Sequence, residues 1–394
     1  MKTLLRFYFW AMAAHGQGIS GSDRIFIELA RHWSIDNSVN IILWREGKIM
    51  CEKQNLNGKN LSFKILNMEP WSGFGFFINY FARIFKSINY SFKLHIERNT
   101  IAYSSSDFWM DLIPCVILKI RYPKLKWVAT WYQTSPNPIK GFSEGDRKEK
   151  YIFHAFLYWF SQLPIKPLIK KYADYVIVNN EVECRQFSIM DKMGKVIVLL
   201  GAVRLDDIEN WKLKLGKLSK VYDAVFQGRF HPQKGVVELI DIWKKVVEKR
   251  PHAKLAMIGD GPLMKDVRDK IQDLRLEKNV KLFGYLFDGE EKYRIFSQSK
   301  IVVHPSFYDS GGMSAAEAMA FGLPCVGFAL KAYESYYPNG MIKVEDENGF
   351  GKVILELLNN SKERKRIGHE AIKLIEEHYS WDRRAEEVYS QIIM

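Results

Sequence analysis

Arg229 and Lys234 stand five residues apart in FQGRFHPQKG (226–235), a turn between an apolar run and a helix-length segment. Two cations at that spacing can reach one pyrophosphate, the Arg as a planar fork and the Lys as a point charge. Both stabilise the negative charge that grows as a phosphate departs. Solvated surface charge is the plain alternative, but Gly228 and Gly235 permit close backbone approach and favour the phosphate reading.

A second constellation lies in HPSFYDSGGMSAAEAMAFGLPCVGF (304–328). Gly311 and Gly312 are predicted to open a helix whose first amides, those of Gly312, Met313 and Ser314, face an anion. Asp309 and Glu317 offer carboxylates to the hydroxyls of a sugar or ribose. The plainer reading makes Asp309 a helix cap and Glu317 part of a wet face. Two glycine-rich turns complete the set. GQGISG (16–21) follows the first apolar run, with Gly16 and Gly18 beneath a helix start. IGDGP (258–262) carries Gly259 and Gly261, where a structural turn is the favoured reading. A lone GxGxxG is weak: the acidic residue expected of a dinucleotide site, Glu46, follows Leu43, Trp44 and Arg45 instead of ending the strand cleanly.

These turns need strands to hold them. Short β-rich runs recur at 4–10, 39–45, 100–105, 126–131, 175–179 and 196–200, and again at 222–227, 254–259, 280–284, 300–305 and 324–328. Helix-length segments separate them, the pattern of βα units around parallel sheets. At 394 residues the chain fits two domains. The expected division is an N-terminal domain over 1–205, a linker of mixed charge at 206–221, a second domain over 222–378 and a C-terminal helix at 379–394 that packs back on the first domain.

Taken in order, GRFHPQKG, IGDGP, NVKLFGY and PSFYDSGGMSAAEAMAFGLPCV resemble the large retaining glycosyltransferase family four, and YSWDRRAEEVYSQI is similar to that family's last helix. The resemblance covers about 110 residues of the second half; the N-terminal half matches only through its glycine turn and strand pattern. It implies an α/β chain of GT-B fold, two Rossmann-like domains facing across a cleft, and a glycosyltransferase of hexosyl type that draws on a nucleoside-diphosphate sugar. Arg229 and Lys234 would then hold the diphosphate, Glu317 the ribose and Asp309 the sugar. Gly16, Gly18, Gly228, Gly259, Gly261, Phe283, Gly284, Tyr285, Gly311, Gly312, Met313 and Ser314 complete the donor side. Asp309 stands where the family more often has Glu. Tyr132 takes the place of a frequent His after KWVATWYQ, as a sugar contact or as ordinary packing, and Asp107 is the other acceptor-side candidate.

No cofactor and no metal are expected, because no DxD-type signature accompanies the donor turns and fixed cations replace a divalent ion. The formal charge of +13 points to anionic partners. The aromatic and basic stretches 74–93 and 155–175 suggest an anionic membrane surface and a glycan or lipid-linked acceptor, with Phe77, Phe81, Ile84 and Ile88 forming one stripe. Dispersed basic residues without a recognisable module argue against nucleic acid. The proline- and glycine-rich segment 133–150 reads as a loop beside the acceptor.

Cys51, Cys115, Cys184 and Cys325 lie far apart, which favours a reducing, cytoplasmic setting. Residues 4–13 read as a buried strand because Arg6 breaks the apolar run, and no run reaches the roughly 18 residues of a membrane span. The competing readings are a catalytically silent GT-B-like nucleotide-sugar binder or partner subunit, and a nucleotide-sugar epimerase.

Overall fold

The computed structural model describes residues 4–393 except 16–18, 70, 136, 140–151, 200 and 310, and only the backbone of 72, 76, 152 and 154. The chain divides into two compact units. The first comprises Met1–Pro138, Phe153–Leu200 and Asp382–Met394, and the second Ile139–Ile152 and Gly201–Trp381.

The first unit holds a seven-stranded parallel sheet: β1 (Arg6–Trp10), β2 (Ser38–Leu43), β3 (Leu61–Ile65), β4 (Thr100–Ser104), β5 (Lys126–Trp131), β6 (Tyr175–Val178) and β7 (Val196–Val198). Their order is β3-β2-β1-β4-β5-β6-β7. The inner strands are buried along most of their length; β4, for example, is buried at every position. β3 escaped the sequence reading. It is an edge strand, LSFKI, half-exposed and without a continuous apolar run.

The second unit repeats the plan with six parallel strands: β8 (Tyr222–Gln227), β9 (Leu255–Ile258), β10 (Val280–Gly284), β11 (Ser299–His304), β12 (Cys325–Phe328) and β13 (Met341–Val344), ordered β10-β9-β8-β11-β12-β13. β13, again a short edge strand, was the other one missed. Phe226, Phe230, Trp243, Leu255, Ile301 and Phe350 belong to the core around this sheet. In both units the strand order reverses beside the first strand, between β1 and β4 and between β8 and β11. Open parallel sheets bind ligands outside the carboxyl ends of such strands.

Residues 206–221 are not a free linker. Leu205–Leu215 forms a helix that packs on the helix Glu290–Ser297. Its Ile208 is buried, and the Trp211 ring lies 6.4 Å from that of Tyr293. Mixed charge hid this stripe, because the aromatic partner that completes it is some 80 residues away.

The last helix, Trp381–Ile393, lies with the first unit from Asp382 onward. Trp33 donates its indole N–H to the Ala385 carbonyl (3.0 Å), and Phe7, Trp33 and Tyr389 form one ring cluster. The helix Gly21–Trp33 begins with a capping box: Asp23 N–H donates to Ser20 Oγ (3.2 Å) and Ser20 N–H to Asp23 Oδ2 (2.9 Å). Such a cap contributes about 1 kcal/mol and fixes the helix start. Gly16 and Gly18 just before it, and most of 133–150, lie outside the described residues. All four cysteines are free and buried.

Candidate functional site

At the β8/β11 switch point, the turns after four strands are tied into one platform. Gly228 donates to the Ile258 carbonyl (3.0 Å), Phe230 to that of Asp260 (2.9 Å) and Gly259 to that of Gly284 (2.7 Å), while Phe307 donates to Gln233 (2.8 Å). Gly259 has φ +144°, and a Cβ there would collide with the Gly228 carbonyl. The glycines of IGDGP thus serve backbone docking beneath Arg229. Phe283 is turned to the Tyr222 ring at 5.9 Å with the Lys281 ammonium over it, and Tyr285 stacks edge-on against Phe287. The ring of Phe283, expected on the donor side, is therefore engaged in packing.

Arg229 is exposed at the tip of this turn. Lys234 instead reaches inward to an ion pair with Asp309, whose side chain is 9% exposed. His304, at the end of β11, places Nε2 3.0 Å from the same Asp309 oxygen, and the amides of Gly311 and Gly312 donate to the other one at 3.2 Å each. Burial would raise the Asp309 carboxyl, but Lys234 and His304 overcome it and hold the group well below the usual carboxylate range. Burial lowers the His304 pKa while Asp309 opposes.

This geometry bears on two expectations. Asp309 organises the loop: its oxygens accept from Lys234, His304 and the amides of Gly311 and Gly312. The amide of Gly312 points back at Asp309, so the helix-start amides left for an anion are those of Met313 and Ser314, the first residues of Met313–Met319. The loop is shaped from below by Tyr337, whose hydroxyl donates to the carbonyls of Gly311 (3.0 Å) and Gly312 (2.8 Å). Gly312 itself sits in the left-handed region at φ +59°.

Glu317 Oε2 accepts from Gln227 Nε2 (2.9 Å) and from the Lys292 ammonium (2.8 Å). Sequence reasoning missed Lys292, His304 and Tyr337. Their signals were faint: a cation in the mixed helix EEKYRIFS, a histidine ending an apolar strand, and a tyrosine outside the turn motifs. Among the described residues no group of three or more His, Cys, Asp or Glu side chains is placed to hold a metal ion.

The first unit carries its own cluster at β1/β4. Asp111 accepts from the amides of Met12 (2.6 Å) and Ala13 (3.1 Å) and from Ser106 Oγ (2.6 Å), joining the two strand ends. Burial lifts its carboxyl to about 7 against these donors. Asp107 is likewise raised by burial to about 6, and accepts from Gln162 Nε2 (2.6 Å). Gln162 also binds Gln133 and Ser135, and Glu183 binds Thr134, so both pin the chain after β5. Tyr132 is buried, and its hydroxyl pairs with that of Tyr103 at 2.8 Å. Burial drives its pKa well up. Of the two readings of Tyr132, sugar contact or packing, its burial against Tyr103 favours packing.

Two Rossmann-like units with parallel sheets define the GT-B fold, and comparison with known proteins agrees. HepE of Anabaena, solved in complex with UDP and glucose, superimposes with a TM-score of 0.72 at 14% identity, over 99% of both chains. Residues 207–374 match the family glycosyl transferases group 1. The matched residues lie within the second unit. A poly(ribitol-phosphate) alpha-N-acetylglucosaminyltransferase of Staphylococcus aureus is 31% identical over 231 residues, 54% of this chain and 44% of the relative. An uncharacterized glycosyltransferase of Methanocaldococcus jannaschii is 28% identical over 202 residues, 48% of this chain and 45% of the relative. In both cases the chain covers less than half of the relative's length.

Proposed function

We propose that the chain transfers a hexosyl group from a nucleoside-diphosphate sugar to a hydroxyl acceptor with retention of configuration. The observation that carries this reading is the pairing of an exposed Arg229 with the Lys234–Asp309 ion pair at the β8/β11 switch point. Fixed positive charge there would neutralise the departing diphosphate without a metal ion, and positioning would supply most of the rate. The HepE complex makes UDP-sugars the first donors to try.

The acceptor is proposed to be a glycan or lipid-linked glycan, presented at the cytoplasmic face of an anionic membrane. Support comes from the helix Gly75–Lys93, which packs on Trp109–Arg121 yet has an outer face that is also apolar. Phe74, Phe77, Phe81, Phe85 and Phe92, spaced three, four, four and seven apart, are each more than half exposed. The stripe expected from the sequence is corrected here: Ile84 is buried, and the exposed row runs through Phe85. Phe153, Phe156 and Phe160 on Ile152–Gln162 are exposed as well, followed by exposed Lys170 and Lys171. Phenylalanines flanked by lysines, in a chain of charge +13, complement an anionic lipid surface. Among the described residues no helix is long and apolar enough to cross a membrane.

A thermal-shift panel of UDP-, GDP-, ADP- and dTDP-sugars tests the reading, because a true donor stabilises the native state by mass action. Transfer of the stabilising sugar to a glycan acceptor, with the anomeric configuration kept, is the expected result. Stabilisation with neither transfer nor donor hydrolysis would instead favour the silent binder.

A further inference from the structure

The helix Glu290–Ser297 buries an ammonium where an apolar side chain would cost less. Lys292 is 1% exposed, among Tyr293, Ile295 and Phe296, all buried, with Tyr293 and Phe296 packed on Phe321. Taking such a charge out of water costs several kcal/mol unless partners recover it. Among its partners are Asp288 Oδ1 at 2.6 Å and Glu317 Oε2 at 2.8 Å. Asp288 in turn binds Arg204 at 2.9 Å, and Arg204 binds Asp207 at 3.0 Å. A line of alternating charge therefore runs from the start of Leu205–Leu215 to the carboxylate of Glu317.

The geometry at Glu317 gives this line a purpose. Lys292 approaches from its helix and Gln227 from the last residue of β8, and both address the same oxygen, Oε2. Two donors on one oxygen fix the plane of the carboxylate. The ammonium also offsets the charge of Glu317, which would otherwise repel a polyanionic ligand bound at Arg229 and Lys234.

We propose that Lys292 is a positioning residue for nucleotide recognition. It holds Glu317 in the orientation that accepts the hydroxyls of a ribose, and so makes the site selective for ribonucleotides over 2′-deoxyribonucleotides. The proposal rests on the donor reading above, and it adds the residue that enforces the sugar choice of the nucleotide. A site built to hydrogen-bond a hydroxyl rejects the analogue lacking it, because its polar group is then left unpaired.

The test compares UDP, GDP and ADP with their 2′-deoxy forms by calorimetry on the full chain, wild type against Lys292→Met and Lys292→Arg, using the nucleotide that the wild type binds most tightly. The wild type is expected to prefer the ribo form by about tenfold or more. Lys292→Met should lose about that factor for the ribo form only, so that the preference collapses, and Lys292→Arg should restore part of it. In steady-state transfer the loss should fall on the donor KM, with kcat within about threefold. Should Lys292→Met not fold, Lys292→Gln is read in the same way.

A variant that is less stable but keeps the wild-type preference makes Lys292 a purely structural ion and overturns the proposal, as does a wild type with no preference. A wild type that binds dTDP and none of the three overturns the proposal and leaves the donor reading; one that binds none of the four removes the donor reading itself, and the proposal with it. That outcome is distinguished by failing before any variant is compared.

Discussion

Lys234 and Asp309, 75 positions apart, form an ion pair that joins the turn after β8 to the turn after β11. The same carboxylate receives His304 and the amides of Gly311 and Gly312, so a single acid sets both the direction of a cation and the shape of a loop. Removing it should therefore disturb stability and function together. Asp309→Ala is expected to destabilise by about 3 kcal/mol, because it leaves Lys234 mostly buried without its partner. Urea unfolding at neutral pH measures this, and a loss under about 1 kcal/mol would contradict the arrangement.

Arg229 and Lys234 should separate under mutation. Each alanine variant is expected to lower transfer by about 10² or more through loss of a charge partner to the leaving diphosphate. Arg229 is exposed, so Arg229→Ala should keep stability within about 0.5 kcal/mol of wild type. Lys234→Ala should cost stability too, as it removes the ammonium partner of the buried Asp309. Parallel rate and unfolding measurements decide this; normal rates in both variants would remove the site assignment.

Tyr132→Phe should retain transfer within about threefold, since its hydroxyl is spent on Tyr103. It should cost about 1–2 kcal/mol in stability by leaving the buried Tyr103 hydroxyl without that partner. A large fall in kcat at unchanged stability would return Tyr132 to the chemistry.

Asp107 and Asp111 carry a pH signature. Both folded pKa values, about 6 and about 7, lie above the ordinary 3.8. Between pH 4 and 7 the native chain therefore binds protons that the unfolded chain has released, and stability falls as pH rises through that window. Asp309 acts with the opposite sign: its contribution is complete above the ordinary carboxylate range and is lost only as pH falls below it. Asp111→Asn keeps an oxygen for the Met12 and Ala13 amides and removes one titration. The stability difference between pH 4.5 and 7.5 should change by on the order of 1–3 kcal/mol, read from urea midpoints. An unchanged pH slope would show that Asp111 is ionised throughout.

The phenylalanine row on Gly75–Lys93 makes a membrane prediction. Phe81→Ser with Phe85→Ser should cut flotation with anionic liposomes by about tenfold or more while leaving the melting temperature near wild type, since both side chains are exposed. Flotation that is equal for wild type and variant, or absent in both, would remove this face as a lipid contact.

The repeating βα pattern was legible in the sequence because buried parallel strands are predominantly apolar; β3 and β13, half-wet edges, carried a weaker run. The turns were legible through local chemistry, since GRFHPQKG and DSGGMS name their own residue types. What each side chain does there was not. Asp309, read as a sugar contact or a helix cap, accepts from Lys234, His304 and two amides; Tyr132, read as a sugar contact or as packing, meets Tyr103 in the core; and most of the expected linker 206–221 is a helix because Tyr293 completes its apolar stripe. Lys292 stood unremarked until folding set it between Asp288 and Glu317. Sequence fixes the types and spacing of groups, and hence the period of each element. Burial and pairing belong to contacts between elements far apart in the chain, and these decide whether a carboxylate faces a ligand or another residue.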